Sequence, residues 1–197
     1  MHLAFDIFQG IGIAAAAGIR PFLPSLAVGA LAAGDVQIDF KGTDFAFLQG
    51  TPFLVAMLLG AILLAVAEQR LGEDRLQRGP FAIGFGAIAL AVGALLFAGA
   101  LAQGHYVTWP GYIAGVLCAA VGIAATRPLL ARVRQRLDQA AAAALPLFAE
   151  GGALVCAVLS VLLPPVGLIV LGLLVWMLIA GRRREGEKYA GLRILRR

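Results

Sequence analysis

A single arginine, Arg20, stands near the middle of an apolar stretch that runs from residue 3 to residue 33. Pro21 follows it directly, and Pro24 comes one helical turn later. An arginine at bilayer depth costs about 2.5–3.5 kcal/mol even on the most lenient insertion scale, and each proline removes a backbone hydrogen-bond donor. A chain that keeps all three must satisfy the charge and the freed backbone groups within the protein. The combination therefore predicts a site inside a bundle, without naming its ligand.

The composition is that of a membrane protein. The chain is 61% hydrophobic and 14% charged, whereas a soluble domain is about 45–50% apolar and about 25% charged. Because one span takes about 20 residues, the 197 residues give room for five or six spans and no separate soluble domain. We therefore predict an all-α fold, a polytopic transmembrane helix bundle over residues 1–180, followed by a basic cytoplasmic tail over residues 181–197.

Six apolar stretches indicate about six spans. The first, residues 3–33, is broken between Gly18 and Pro24, and it is either a kinked, tilted span or a re-entrant hairpin. The other five predicted spans are residues 52–67, 80–102, 112–126, 140–163 and 166–180. In the fifth span, Pro146 is expected to interrupt the helix.

Two segments between the spans carry patterns of their own. Residues 35–49 alternate apolar and polar side chains, which is typical of a small hairpin or of an interfacial loop anchored by phenylalanines. In residues 127–138 the apolar side chains share one helical face, with arginines alongside and opposite. That pattern predicts a short amphipathic helix on anionic head groups, or an ordinary basic helix in a loop.

The distribution of basic residues indicates the topology. Residues 68–78, 127–138 and 182–197 hold three, four and seven Lys and Arg, whereas residues 35–49 and 103–111 hold one and none. Six crossings with both termini in the cytoplasm put every basic segment on the same side, as the positive-inside rule requires. Five crossings would instead place either the tail or the arginine segment outside. The basic segments are therefore expected to serve topology and contact with anionic lipids.

Three segments resemble a bacterial integral-membrane family known as domain of unknown function 4126. They are GIAAAAGIRPFLP (residues 12–24), LPLFAEGG (145–152) and EKYAGLRIL (187–195). The resemblance covers nearly the whole chain, but residues 68–74 are only loosely similar to the acidic motif at the end of the family's second helix. It implies a multi-pass protein of the bacterial cytoplasmic (inner) membrane, and it brings no established activity.

Glu150 is the predicted partner of Arg20, because it lies within the fifth predicted span beside two glycines. Ionisable residues inside a membrane usually face the bundle interior and pair with one another. The candidate site, a ligand-binding site or an intramembrane charge pair, comprises Arg20, Pro21, Pro24, Glu150 and Gly151. The alternatives are a buried pair that only fixes helix register and an arginine that snorkels to an interface.

Enzymatic, metal and nucleic-acid functions are not expected. Ser25 and Ser160 lie in spans, but His2 and His105 lie at a terminus and in a loop, so neither serine has a base. The sequence has no nucleotide or metalloprotease motif and no cluster of metal ligands, so we expect no cofactor. Cys118 and Cys156 are expected to be packing residues, and Gly10 and Gly12 are interpreted as helix-packing glycines.

Two functions of different classes follow from these features. The first is a small carrier or flippase-like transporter, oligomeric, for an anionic solute or a lipid head group. In it Arg20 attracts the anion, and Glu150 pairs with Arg20 or carries a coupling proton. Residues 23–31 resemble residues 145–154, and broken helices at corresponding places in two halves point to a transport site. However, in a six-span chain these segments run the same way, so an inverted repeat is not supported. The second function is a non-transporting membrane scaffold or accessory subunit whose basic tail docks a partner or anionic lipid.

Overall fold

The apolar stretches fold as helices, because in lipid a helix satisfies every backbone group within its own segment. A computed structural model describes residues 2–71 and 79–194, with the backbone alone for residues 2, 71, 139–140 and 182–194. These residues contain seven α-helices, one short 3₁₀ helix and no strand, which confirms the predicted all-α bundle. The α-helices are α1 (His2–Ile19), α2 (Phe22–Ala33), α3 (Thr51–Leu71), α4 (Gly79–Gln103), α5 (Trp109–Arg134), α6 (Gln139–Leu162) and α7 (Pro165–Ile194), and the 3₁₀ helix is Ala46–Gln49.

The described helices differ in whether they can cross a bilayer alone. Helices α3, α4, α5 and α6 are long and apolar enough. The apolar parts of the other three are shorter: Leu3–Ile19, Phe22–Ala33 and Pro165–Gly181. Helix α2 has 12 residues and is about 18 Å long, against about 30 Å for the hydrocarbon core of a bilayer. The chain is therefore a membrane protein with between four and seven spans.

The first apolar stretch is a hairpin of two helices, not a single kinked span. Helix α1 ends at Ile19 and α2 begins at Phe22, so the break consists of Arg20 and Pro21. Gln9, in the first half of α1, donates from Nε2 to the carbonyl of Gln37 at 3.3 Å, beyond the end of α2. The chain has therefore turned back along α1, and the hairpin alternative is confirmed.

The two ends of the described chain lie at opposite ends of the bundle. Gly12 of α1 packs against Gly167 at the beginning of α7, whereas Gly181, farther along α7, packs against Arg132 near the end of α5. The six predicted spans include the first apolar stretch as one crossing. In the structure that stretch enters the bundle and then turns back. We call the end where α3, α5 and α7 finish the basic end.

Helix α1 is the centre of the bundle and packs against α4, α5, α6 and α7. Its residues 13–17 have no exposed surface. Gly10 faces the ring of Phe97, Gly12 faces Ser160 and the backbone of Gly167, and Gly18 faces the backbone of Ala119. Small residues allow such close approach of helices in lipid, so the interpretation of Gly10 and Gly12 as packing glycines is confirmed.

Helix α3 lies at the periphery. It packs against α2 and the 3₁₀ helix and scarcely approaches α4, whereas α4 packs against α1 and α5. In the most apolar window of α3 only 6% of the residues are buried, against 39% in α4. Phe22 of α2 lies between α3 and α4: its ring packs edge-on against Phe85 of α4, with centroids 6.3 Å apart, and it faces Gly60 of α3.

The predicted helix breaks inside α5 and α6 are wrong. Pro128 lies within α5, so residues 127–134 continue that helix instead of forming a separate amphipathic one. Pro146 likewise lies within α6, which continues through it. A proline removes only one donor, and neighbouring helices can satisfy the freed carbonyl group in a membrane bundle. Of the prolines within the predicted spans, only Pro21 beside Arg20 coincides with a break between helices.

Residues 35–49 form a loop, and the alternative of a small hairpin is wrong. Asp35 and Gln37 have φ angles of 55° and 60°, which interrupt an extended strand. The loop is fixed by two side-chain amides: Gln103 accepts from the Asp39 N–H at 3.2 Å, and Gln49 accepts from the Phe40 N–H at 2.9 Å. Phe40 and Phe45 are buried while Phe47 is exposed, so most of the predicted anchors belong to the core.

The predicted basic tail is a continuation of α7, whose backbone stays helical to Ile194. The arrangement of the side chains of residues 182–194, and the whole of residues 195–197, lie outside the described structure. Residues 72–78, the middle of a predicted basic loop, also lie outside it.

Candidate functional site

Arg20 lies at the tip of the α1–α2 hairpin and is 8% exposed. Its Nη1 donates to Glu68 Oε1 at 2.5 Å. Glu68 belongs to the last turns of α3, so Arg20 is level with the basic end of that helix. The middle of the first apolar stretch in sequence is therefore close to one end of the bundle in space, because the stretch folds back on itself.

Glu150 approaches the same guanidinium from the other side. Its Oε1 lies 3.8 Å from Arg20 Nε, and it projects from the middle of α6. Its Oε2 is buried and has no hydrogen-bond partner among the residues that the structure describes. The structure thus brings Arg20 and Glu150 together, but the shorter contact of Arg20 is with Glu68.

A second arginine completes a cluster of charges. Arg134, at the end of α5, interacts electrostatically with both Glu68 and Arg20. We call Arg20, Glu68, Arg134 and Glu150 the charge cluster. Its two cations and two anions balance, and its members come from the hairpin tip and from α3, α5 and α6. Burying such groups is tolerable only when they pair and hydrogen-bond well, so the cluster holds four parts of the chain in one register.

A cavity of about 80 Å³ lies beside Arg20, between α3, α4 and α5. A cavity needs roughly 10–15 Å³ of such volume to hold one water, so this one has room for several waters or a small ionic group. Its polar lining comes from Arg20, Glu68, Thr126 and Arg127, and the apolar lining includes Leu64, Phe85 and Ala89.

Arg127 is the cation of this cavity that has no carboxylate partner. Its Nη2 donates to the carbonyl of Ala82 in α4 at 3.1 Å, and it forms no ion pair with a described residue. A Cβ at Gly86 would lie 3.3 Å from Nη2, so Gly86 leaves room for the guanidinium. Arg20 is compensated by two carboxylates, whereas the charge of Arg127 remains available to an anion.

The other predicted site residues are placed differently. Pro21 precedes α2 and lines the cavity. Pro24 is buried in the first turn of α2 and is outside the lining. Gly151 lies on an exposed face of α6, where a Cβ would meet no atom within 4 Å. Neither Pro24 nor Gly151 therefore contributes to the cavity.

Sequence reasoning missed Glu68 and Arg127 as members of the site. Both lie just beyond the end of a predicted span, and both were assigned to basic segments outside the membrane. The helices α3 and α5 continue past those limits, which brings both side chains to the level of Arg20. Glu68 directly follows the apolar run of its span, and that position was the available signal.

The remaining buried hydroxyl groups are satisfied by their own helices. Ser25 donates to the carbonyl of Pro21 at 2.5 Å, and Ser160 donates to that of Cys156 at 2.7 Å. Cys118 and Cys156 are both free thiols. Among the residues whose side chains the structure describes, no group of three His, Cys, Asp or Glu could hold a metal ion.

Comparison with known proteins supplies a family and no activity. A family model described as domain of unknown function (DUF4126) matches residues 7–184, in agreement with the resemblance seen in the sequence. No curated protein and no solved structure matches the chain significantly. The function therefore has to be argued from the charges and the cavity.

Proposed function

The chain belongs to the DUF4126 family, whose function is unknown, and we propose that it is a small membrane carrier for an anionic group, without enzymatic activity. The observation that supports this proposal is Arg127. It lines a cavity inside an apolar bundle and has a charge that no described carboxylate neutralises. An unbalanced cation at such a place is costly, and an anionic ligand would remove that cost.

In this proposal Arg127 takes the anion and Arg20 positions the site. A guanidinium presents several N–H donors in a planar fork that matches carboxylate and phosphate oxygens. Arg20 is held by Glu68 and faces the cavity from the hairpin tip. The anion therefore replaces the Ala82 carbonyl as a partner of Arg127, while the charge cluster keeps the walls of the cavity in place.

Glu150 is proposed to carry a coupling proton. Its Oε1 lies 3.8 Å from Arg20 Nε, while its Oε2 is buried without a described hydrogen-bond partner. Protonation of Glu150 would weaken its attraction to Arg20 and leave Glu68 as the partner of that arginine. Such an exchange would shift the hairpin tip relative to α6, which is the kind of two-state movement that a carrier requires.

We propose the bacterial cytoplasmic membrane as the location, with the basic end facing the cytoplasm. In this proposal the α1–α2 hairpin enters the membrane from the side opposite the cytoplasm, and α3 to α7 make five crossings. All three basic segments then share the cytoplasmic side, as the positive-inside rule asks, and residue 2 lies outside. A reporter enzyme fused before residue 2 and one fused after Arg197 test this topology, and the same side for both would contradict it.

Transport is tested with the full chain reconstituted in liposomes. Three probes are offered separately: acetate, inorganic phosphate and phosphatidylglycerol with a fluorescent head group. The wild-type protein should move at least one probe faster than empty liposomes. Arg127→Gln should slow that probe about tenfold or more, since a charge-assisted hydrogen bond contributes about 1.5–3 kcal/mol.

The matched control is Arg132→Gln, on the same helix but outside this cavity, and it should transport normally. Glu150→Gln should keep binding of the moved probe but lose the pH dependence of its transport. If no probe moves faster with protein than without it, the carrier proposal is wrong.

The scaffold function remains the second proposal, and the length of α7 favours it. The apolar part of this helix ends at Gly181, but its backbone continues as a helix to Ile194 through a basic sequence. Such a segment could dock an anionic lipid surface or an acidic partner. Deleting residues 187–197 separates the two functions, because a carrier should keep transport and a scaffold should lose its cellular role with normal insertion.

A homo-oligomer is proposed from the outer face of α6. Leu147 and Phe148 are exposed there beside Gly151, and small residues beside large apolar ones suit helix association in lipid. The mass of the protein in nanodiscs tests this proposal, and a strictly monomeric mass at all protein concentrations would contradict it.

A further inference from the structure

Two walls of the cavity belong to α3 and α4. One wall is formed by Leu64 and Glu68 of α3, and the facing wall by Ala82, Phe85 and Ala89 of α4. These two helices scarcely approach each other. Deeper in the bundle, Phe22 of α2 occupies the space between them, against Phe85 of α4 and Gly60 of α3. We call the remaining space between α3 and α4, at the level of Glu68 and Ala82, the gap.

The outer surfaces beside this gap are those of membrane-facing helices. Ile83, next to the wall residue Ala82, is 75% exposed, and Leu63, next to Leu64, is 68% exposed. Side chains of this size and polarity contact acyl chains in a membrane protein. The gap therefore leads sideways into the bilayer.

The lining changes from charged to apolar along the bundle axis. Glu68 is in the last turns of α3 and Ala82 in the first turn of α4, and Arg127 reaches the Ala82 carbonyl. One turn or more deeper, the walls are Leu64, Phe85 and Ala89. The charges thus lie toward the basic end, and the apolar part lies toward the middle of the bilayer.

A phospholipid likewise changes from charged to apolar along its length. Its phosphate belongs at the level of the head groups, and its acyl chains extend toward the bilayer centre. A free anion would occupy the charged part and leave the apolar walls unused. A cavity of about 80 Å³ accepts a head-group phosphate, while the chains stay in the gap and in the surrounding lipid.

We propose that the ligand of this site is an anionic phospholipid of the leaflet at the basic end, which enters sideways between α3 and α4. Its phosphate binds Arg127, and one acyl chain lies along Leu64, Phe85 and Ala89. This inference rests on the proposed anion site and adds the class and the route of the ligand.

Binding is measured with the purified full chain in detergent, by native mass spectrometry and by the shift of the thermal unfolding midpoint. The probes are dioleoyl phosphatidylglycerol, dioleoyl phosphatidylcholine and glycerol 3-phosphate, which has the anionic phosphate without the chains. Phosphatidylglycerol should bind at least tenfold more tightly than either of the other two. Arg127→Gln should weaken that binding about tenfold, and Arg132→Gln should leave it unchanged.

The sideways route is tested by filling the gap. Ala82→Trp places a large side chain between α3 and α4 and should abolish saturable binding of phosphatidylglycerol. Ile83→Trp is the matched control, since it adds the same side chain to the neighbouring lipid-facing position. If Ala82→Trp does not give a monodisperse protein, Ala82→Leu replaces it and should weaken binding to a smaller extent.

Three results would overturn the proposal. The first is equal binding of phosphatidylglycerol by wild type and Arg127→Gln, which would mean adsorption to the basic surface. The second is glycerol 3-phosphate binding as tightly as the lipid, which would make the ligand a soluble anion and leave the carrier proposal intact. The third is unchanged lipid binding in Ala82→Trp. Lipid binding in the absence of any transport would instead reject the carrier and keep the lipid site.

Discussion

Helices α1 and α3 are both apolar, but they occupy opposite positions in the bundle. Residues 13–17 of α1 have no exposed surface, and this helix packs against four others. In the most apolar window of α3 only 6% of the residues are buried, and this helix packs against α2 and the short 3₁₀ helix. Overall apolarity therefore does not decide which helix becomes the centre of a membrane bundle.

Side-chain size decides here which of the two helices is central. Helix α1 carries alanines and glycines whose backbones come into contact with α5 and α7, whereas α3 carries leucines and a methionine. Without a hydrophobic driving force between helices in lipid, close backbone approach and polar contacts hold helices together. α1 has the close approaches, and α3 is joined to the hairpin by the ion pair of Glu68 with Arg20.

The largest effect is expected from a bulky residue at the centre of α1. In Gly18→Leu the new Cβ would fall within contact of the backbone of Ala119, so α1 and α5 must separate. Overpacking costs about 1–3 kcal/mol and sometimes more, and we expect loss of the monodisperse peak in size-exclusion chromatography. Gly84→Leu is the control, since a Cβ there meets nothing within 4 Å, and equal loss in both variants would contradict the central role of α1.

The second largest effect is expected at the ion pair that joins α3 to the α1–α2 hairpin. Arg20→Gln leaves Glu150 buried without its cation and Glu68 with Arg134 alone, and the loss of a buried pair costs about 3–5 kcal/mol. The midpoint of thermal unfolding should fall strongly. The double variant with Glu68→Gln should be more stable than the single one, because one buried charge is removed. If the two substitutions instead destabilise additively, the pair does not join α3 to the hairpin.

A smaller difference in stability is expected when an apolar side chain is shortened in α1 and in α3. Ile13 is 0% exposed and Leu59 is 53% exposed. Ile13→Ala should cost about 2–4 kcal/mol, since it leaves a cavity in the core. Leu59→Ala should cost less than about 1 kcal/mol, because lipid fills the space. Unfolding in increasing denaturing detergent measures both, and similar losses would show that α3 is also packed, for example in an oligomer.

The smallest effect is expected in the loop of residues 35–49, which belongs to neither α1 nor α3. The hydrogen bond from Lys41 Nζ to Asp35 raises the pKa of Lys41. A raised pKa in the folded state gives stability that is present below about pH 10.4, the unfolded value, and is lost as the pH rises through the folded value. The contribution of this pair to the unfolding midpoint should therefore be constant between pH 7 and pH 9. Lys41→Met should unfold at a slightly lower temperature than the wild type in that range, the difference should disappear as the pH rises through the folded pKa of Lys41, and a difference that persists at still higher pH would contradict the assignment.

Much of the fold could be predicted from the sequence, because lipid leaves few choices to an apolar backbone. Helical structure and the break at Arg20 and Pro21 follow from periodic apolar runs and from a proline beside a charge. The direction of the chain after that break could not be predicted, because a kinked helix and a hairpin have the same local sequence. The contact of Gln9 with Gln37 decides it, and that contact depends on tertiary packing.

The candidate site was only partly predictable for the same reason. Arg20 and Glu150 stand out because they interrupt apolar runs. Glu68 and Arg127 do not, because they adjoin charged segments and differ little from the surface charges around them. Whether such a residue belongs to a loop or to the last turns of a helix depends on where the helix ends in space. The apolar run in a sequence locates the end of a helix only to within one or two turns.

The hairpin also constrains how the protein is made. Arg20 emerges from the ribosome 48 residues before Glu68, and at about 5–20 residues per second this delay is about 2–10 s. Glu150 and the helices that surround α1 follow later still. During this interval the arginine has neither of its carboxylates, so α1 and α2 are not an independent unit of insertion. The hairpin can therefore complete its ion pair with Glu68 only after α3 has been synthesised.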